Sequence, residues 1–215
     1  MAMMKTDHGL PSDRLMPLRR VVKALTRLAD RGGGEAEFLS EGRSLLAELI
    51  AQDDWLEDDF RKTHPQYYQQ YLLYCDPHER FSIQSFVWGP GQATPVHDHT
   101  VWGLVGVIQG AEVCERFERT PAGLVAAGPA ARLERGQVDA VSPTVGDIHR
   151  VSNAYSDQTS ISIHIYGANI GNRPRHVFDE TSGQVRDFVS GYSSSRLPNL
   201  WDQAPVIRAQ LAHGR

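Results

Sequence analysis

The stretch "GQATPVHDHTVWGLVGVIQG", residues 91–110, decides how this chain is read. His97 and His99 are two apart. On an extended strand both side chains leave the same face, so both imidazoles can meet one metal ion. The pair has a frame: Gly91 stands six residues before the first histidine and Gly110 eleven after the second. A second stretch, "PTVGDIHRVSN" at 143–153, sets Pro143 and Gly146 ahead of His149, with Asn153 following. Proline and glycine build a turn, and the strand leaving it can carry His149 inward.

A third stretch, "SISIHIYG" at 160–167, alternates without a slip. Ile161, Ile163 and Ile165 share one face of a strand, and Ser162, His164 and Tyr166 share the other. The polar face either meets water or points into a lined cavity. A barrel closed around a metal selects the second orientation, with the isoleucines packed against an outer layer.

From about residue 80 the chain breaks into short strand-like runs: "RFSIQSFVWG", "GLVGVIQG", "AEVCERFE", "LVAAG", "ARLERG" and "QVDAVSP". Gly or Pro punctuates nearly every one, which suggests an all-β sandwich or barrel. The first third reads as helix. Ser12 is a candidate cap for a helix buried through Leu15, Leu18, Val22, Leu25 and Leu28, stopped by "RGGG" at 31–34. A second helix is expected from Glu35 to Ala51, with Phe38, Leu45, Leu46, Leu49 and Ile50 inward. "DDWLEDDF" and "PQYYQQYLLY" read as further short helical pieces, and "SGYSSSRLPN" as a loop. The expected organisation is one domain: a helical N-terminal segment over 1–78 packed on a barrel over 79–195, then a C-terminal tail over 196–215.

With 215 residues and a net charge of −4, the chain carries no long basic run, so nucleic acid is not an expected partner. No apolar stretch approaches bilayer-spanning length, so no membrane partner is expected either. "MAMMKTDHGLPSDR" has no apolar core of a secretory signal. Only Cys75 and Cys114 are present, which speaks against a disulfide scaffold and for a cytoplasmic location.

The two histidine segments resemble the paired motifs of the cupin superfamily. Gly91, His97, His99 and Gly110 fit the first motif, but Gly103 stands where most metal-binding cupins carry a glutamate ligand. Gly146, His149 and Asn153 fit the second, with Pro143 one residue early. The resemblance implies a mainly β fold, a double-stranded β-helix (jelly-roll) barrel with N-terminal helices and a metal inside one end. Three histidines without the glutamate resemble the thiol dioxygenases of the cysteine dioxygenase family, and "WGPGQATPVHDHT" at 88–100 is a strong local match. That family carries Ser-x-His-x-Tyr beside its iron, matched by Ser162, His164 and Tyr166.

The resemblance implies one Fe(II) per chain held by His97, His99 and His149. It implies O2 as co-substrate, with both oxygen atoms added to the sulfur of a small thiol. Tyr166 would donate a hydrogen bond at the reacting centre, His164 would orient the phenol, and Ser162 would fix the imidazole tautomer. Two departures bear on the substrate. Animal-type members join a cysteine shortly after H-x-H to the tyrosine, and here Gly103 is the counterpart, so no crosslink is expected. Those enzymes also bind the substrate carboxylate with an arginine ahead of the barrel. Here no arginine lies between Arg61 and Arg80, and "YYQQYLLY" offers Gln70, or Gln69 as the fallback.

That pattern is similar to the bacterial glutamine-type members, the 3-mercaptopropionate dioxygenases, in which an arginine past the Ser-His-Tyr strand holds the carboxylate. "NRPRHVF" offers Arg175, with Arg173 as second choice. The expected substrate is 3-mercaptopropionate, with L-cysteine and mercaptosuccinate as alternatives. A differently metallated or non-catalytic cupin is the more remote reading, and a monomer or weak homo-oligomer is expected. Asp98 is read as lying outside the ligand set, Trp88 and Trp102 as packing, His176 as a residue of the mouth, and both cysteines as buried small hydrophobes.

Overall fold

The computed structural model describes residues 14–121, 123–194 and 204–213. Two helices open the described chain: α1 (Met16–Asp30) and α2 (Glu35–Ile50). The start expected at Ser12 lies outside the described residues. Pro17 occupies the first turn of α1, where its missing N–H has no bond to lose. Gly32, at φ 74°, ends the helix in the left-handed conformation, and Gly33 N–H returns to the Leu28 carbonyl at 3.0 Å. Glu37 caps α2 by accepting the Gly34 N–H at 2.9 Å.

Twelve strands follow among the described residues. They are β1 (Gln69–Cys75), β2 (Ser82–Trp88), β3 (Val96–His97), β4 (Gly103–Gln109), β5 (Ala111–Thr120) and β6 (Gly123–Ala126). Then come β7 (Ala131–Glu134), β8 (Val138–Val141), β9 (His149–Asn153), β10 (Ser160–Tyr166), β11 (Arg175–Phe178) and β12 (Val185–Phe188), and a helix α3 (Ala204–His213) lies in the segment expected as a tail. One sheet runs β1-β2-β10-β4-β8. The other runs β12-β11-β3-β9-β5-β6, with β7 also on β5. All the strand pairings are antiparallel. This is the double-stranded β-helix barrel that the motifs implied. No helix among the described residues is long and apolar enough to cross a membrane.

One expectation is corrected here. "PQYYQQYLLY", read as helical, supplies strand β1, so strand structure begins at Gln69 rather than at 79. Of "DDWLEDDF" only Asp58–Phe60 forms a short 3-10 turn. The reason is tertiary: β2 offers an antiparallel partner just beyond a tight turn, setting Gln70 opposite Phe86 and Tyr71 opposite Ser85. Sheet pairing and burial override the helical preference of Gln and Leu.

β10 is central, between β2 and β4, and all seven of its residues are buried. Neither face meets water. Ile161, Ile163 and Ile165 pack outward with Ile83, Val87 and Leu104 against Leu25, Leu46 and Ile50 of the helices. Each such burial is worth about 1.5–3 kcal/mol. Helix and sheet approach closely because a Cβ on Gly106 of β4 would lie 2.9 Å from Ile50 and 3.0 Å from Leu46. Trp102 stacks on Phe38 at 4.7 Å in this same layer, as packing. The inner face holds a second cluster that includes Phe86, Trp88, Val151 and Tyr166.

Candidate metal centre and substrate cavity

β3 brings His97 directly opposite His149 on β9, and His99 follows two residues on. The three rings stand 4.8 to 4.9 Å apart, and one ligand atom from each lies within 4.8 Å of the others. All three are buried.

Each ring meets a partner at Nδ1. His97 Nδ1 lies 3.0 Å from the Pro95 carbonyl, His99 Nδ1 lies 2.9 Å from Asp147 Oδ1, and His149 Nδ1 lies 3.4 Å from the Cys114 sulfur. The carbonyl and the carboxylate can only accept, so they keep the proton of His97 and His99 on Nδ1 and leave the Nε2 lone pair free. Nε2 of His99 and of His149 is buried with no hydrogen-bond partner. Such orphaned lone pairs facing one another are costly unless a cation takes them. Burial also pushes all three imidazoles toward the neutral form, His97 down to about 4 and the other two well below their ordinary value. Neutral imidazoles with converging lone pairs suit a divalent metal.

The polar face of β10 runs beside this centre. His164 Nδ1 is 2.8 Å from the Tyr166 hydroxyl, and His164 Nε2 is 2.8 Å from Ser162 Oγ. Trp88 Nε1 donates to Ser162 Oγ at 3.3 Å. Burial lowers His164 to about 3 and raises the Tyr166 phenol, so both are uncharged at neutral pH. The Tyr166 ring stacks on His99 with centroids 5.2 Å apart. It also lies over Gly103, its partner on β4: a Cβ there would be 2.6 Å from the ring.

A cavity of about 370 Å³ opens onto His97, Tyr166, Arg175, Gln70, Phe86 and Tyr68. Arg175 is 4% exposed. Its Nη2 donates to Ser190 Oγ at 2.7 Å, its guanidinium lies 4.6 Å from the centre of the Phe188 ring, and its Nε has no partner. Gln70 is also buried, with Nε2 unpartnered. Gln69 and Arg173, the second choices, lie elsewhere. Gln69 Nε2 donates to the Tyr68 carbonyl, and Arg173 is exposed and bonded to Thr100 Oγ1.

Residues 58–175, more than half of the chain, match the cysteine dioxygenase type I family. The chain belongs to that family. Membership supports a cysteine-dioxygenase-type enzyme acting on a thiol, and the family is iron-dependent.

Solved structures similar to this chain include a double-stranded β-helix protein from Klebsiella pneumoniae, 17% identical with TM-score 0.42, covering 53% of this chain and 89% of that one. A cupin superfamily protein from Desulfitobacterium hafniense is 16% identical with TM-score 0.39, covering 58% of this chain and 88% of that one. A cupin from Methanocaldococcus jannaschii is 15% identical with TM-score 0.38, covering 50% and 85%.

Several residues of this cysteine dioxygenase family member carried no sequence signal. Asp147 lies 48 positions from the histidine ring it holds. Ser190 and Phe188 meet Arg175 only through the pairing of β11 with β12. Cys114, read as a packing residue, touches His149. Asp98 is no ligand: it accepts the backbone N–H of His176 at 2.8 Å and lies 2.7 Å from the His176 ring.

Proposed function

We propose that this chain is an Fe(II) thiol dioxygenase that adds both atoms of O2 to the sulfur of 3-mercaptopropionate, giving the sulfinic acid. The observation that carries the substrate is Arg175. A buried guanidinium without an anionic partner is costly. Among the described residues no ion pair to it is formed, and no carboxylate lines the cavity it shares with His97 and Tyr166. A substrate carboxylate meets that need with a charge-assisted bidentate contact. The unpartnered Gln70 Nε2 is placed to donate a further hydrogen bond.

The same lining separates the candidate thiols. The ammonium of L-cysteine would enter a cavity with no acidic side chain and one guanidinium. Mercaptosuccinate brings a second carboxylate, and the lining has no second cation for it. A thiol with one carboxylate matches the charge count. L-Cysteine is the alternative because its carboxylate and thiol are the same groups.

His97, His99 and His149 would hold the iron, which would favour the thiolate and supply the one-electron path by which a closed-shell thiol, otherwise slow with O2, gives up its own electrons. The protein does the rest. Arg175 fixes the carboxylate end, so the sulfur is delivered toward the histidines. Tyr166 offers a neutral hydroxyl to the cavity, aimed by His164. Phe86 and Tyr68 keep the wall apolar. On this reading the chain acts in the cytoplasm as a monomer or weak homo-oligomer, without nucleic acid or membrane. Oxygen uptake by the ferrous protein with 3-mercaptopropionate, L-cysteine and mercaptosuccinate tests it. The highest kcat/KM is expected for 3-mercaptopropionate, and no uptake with any of them removes the reading.

A further inference from the structure

The hydrogen-bond chain behind Tyr166 reaches Ser162, and a buried carboxyl lies beside its end. Glu112, on β5, is 1% exposed, and neither of its carboxyl oxygens has a hydrogen-bond partner. Ser162 and Trp88 face it, and both favour its anion, but burial outweighs them. The other elements around it add no cation. β9 presents Asn153, whose amide is already committed to the carbonyls of Trp88, Gly89 and Gln158. β7 presents Leu133. β10 presents His164 and Tyr166 beyond Ser162, and β5 itself presents the Cys114 thiol, which burial pushes up to about 11. A sealed carboxyl with a hydroxyl as its neighbour is a place to store a proton.

We propose that Glu112 is the inner end of a four-group proton relay, Glu112–Ser162–His164–Tyr166, and that its carboxyl proton sets which way Tyr166 points its O–H. The inference rests on the reading that the Ser162–His164–Tyr166 face serves the thiol site.

With one Glu112 oxygen turned onto Ser162 Oγ, two arrangements connect all four groups. With Glu112 protonated, its O–H donates to Ser162 Oγ, which also accepts the Trp88 N–H. Ser162 then donates to His164 Nε2, His164 Nδ1–H donates to the Tyr166 oxygen, and the phenol O–H is free to donate into the cavity. With Glu112 ionised, every bond reverses. Tyr166 donates to His164 Nδ1, His164 Nε2–H donates to Ser162, and Ser162 donates to the carboxylate. One proton separates the two states. A thiol S–H that breaks toward Tyr166 passes its proton to the phenol oxygen. The phenol proton moves to Nδ1, the Nε2 proton to Ser162, and the serine proton to Glu112. Burial holds Glu112 at about 7, so both states are accessible near neutral pH.

The test is the His164 tautomer, read by long-range ¹H–¹⁵N correlation on the ¹⁵N-histidine-labelled full chain with Zn²⁺ as a diamagnetic ion. Between about pH 5.5 and about pH 8.5 His164 should pass from the Nδ1–H to the Nε2–H tautomer without forming imidazolium. Glu112→Gln should hold one tautomer throughout. Ser162→Ala should uncouple His164 while the Glu112 ¹³C carboxyl shift still titrates. A single tautomer in the wild-type chain, or a transition that survives Glu112→Gln, overturns the relay. Oxygen uptake is a separate measurement. If Tyr166→Phe leaves uptake unchanged while the wild-type tautomer still switches with Glu112, the functional reading fails and the relay stands.

Discussion

Asp147 holds His99 twice: its Oδ1 is 2.9 Å from the ring Nδ1 and accepts the His99 backbone N–H at 3.0 Å. Oδ2 accepts the Thr100 N–H at 2.8 Å. One carboxylate therefore fixes the ring, its tautomer and the backbone that carries it. Asp147→Asn keeps the size but removes the charge that pins the Nδ1 proton. Metal affinity should fall about 10–100-fold, measured by competition with a chelator of known affinity. An unchanged affinity means the ring is held by packing alone.

Arg175→Ala should raise KM for 3-mercaptopropionate by about 10–100-fold, matching the loss of about 1.5–3 kcal/mol for hydrogen bonds to a charged group. A thiol of similar length without a carboxylate should show no such penalty. If both thiols respond alike, Arg175 supports the fold and not the substrate.

Tyr166→Phe should slow turnover by about 100-fold or more, the usual scale for a positioned proton donor, while the bound metal is retained. Metal content and sulfinate formed per O2 consumed are the two measurements. Loss of metal would assign the tyrosine to the metal's support.

Gly103→Ala places a methyl 2.6 Å from the Tyr166 ring, and the neighbouring Val141 side chain is only 3.0 Å away. The ring must shift, which breaks its alignment with His164. Activity should fall toward that of Tyr166→Phe, with a stability loss of about 1–3 kcal/mol by thermal melting. Wild-type activity in this variant would show that the strand can yield without moving the phenol.

The metal-free chain should lose stability in mild acid. His97 falls from its ordinary value to about 4 and His164 to about 3, and His99 and His149 are lowered as well. Below about 6.5 the unfolded chain binds protons that the folded chain refuses, so stability drops as pH falls. His97 alone accounts for about 2 kcal/mol by pH 5. Glu112 acts in the opposite sense, since its raised value costs stability as pH rises toward about 7. Four histidines outweigh one carboxyl, so Tm should fall steadily from pH 7 to pH 5. A flat Tm would mean that water reaches these rings.

Much of the site is legible in the sequence. The spacing of His97 and His99, the turn before His149 and the alternation through Ser162, His164 and Tyr166 are local, because a strand's period of two assigns faces without reference to the rest of the chain. The strand over Gln69–Cys75 was not legible. Its residues suit a helix alone, and the decision came from the β2 edge that pairs with it. Gln70 was separated from Gln69 only by that pairing, which turns one side chain into the cavity and the other away from it.

The amino-acid sequence by itself determined the mainly β class, the two N-terminal helices, the three histidines that converge and the polar face of β10. These follow from periodicity and from motifs short enough to be read within one element. The tertiary structure alone decided that Asp147 orients His99, that Ser190 and Phe188 hold a buried Arg175, and that Glu112 is sealed beside Ser162. Those partners lie on other elements than the residues they serve: Asp147 just before β9, Phe188 and Ser190 at and just past the end of β12, and Glu112 on β5. Burial, which gives each of them its chemical character, arises only when the two sheets enclose the barrel.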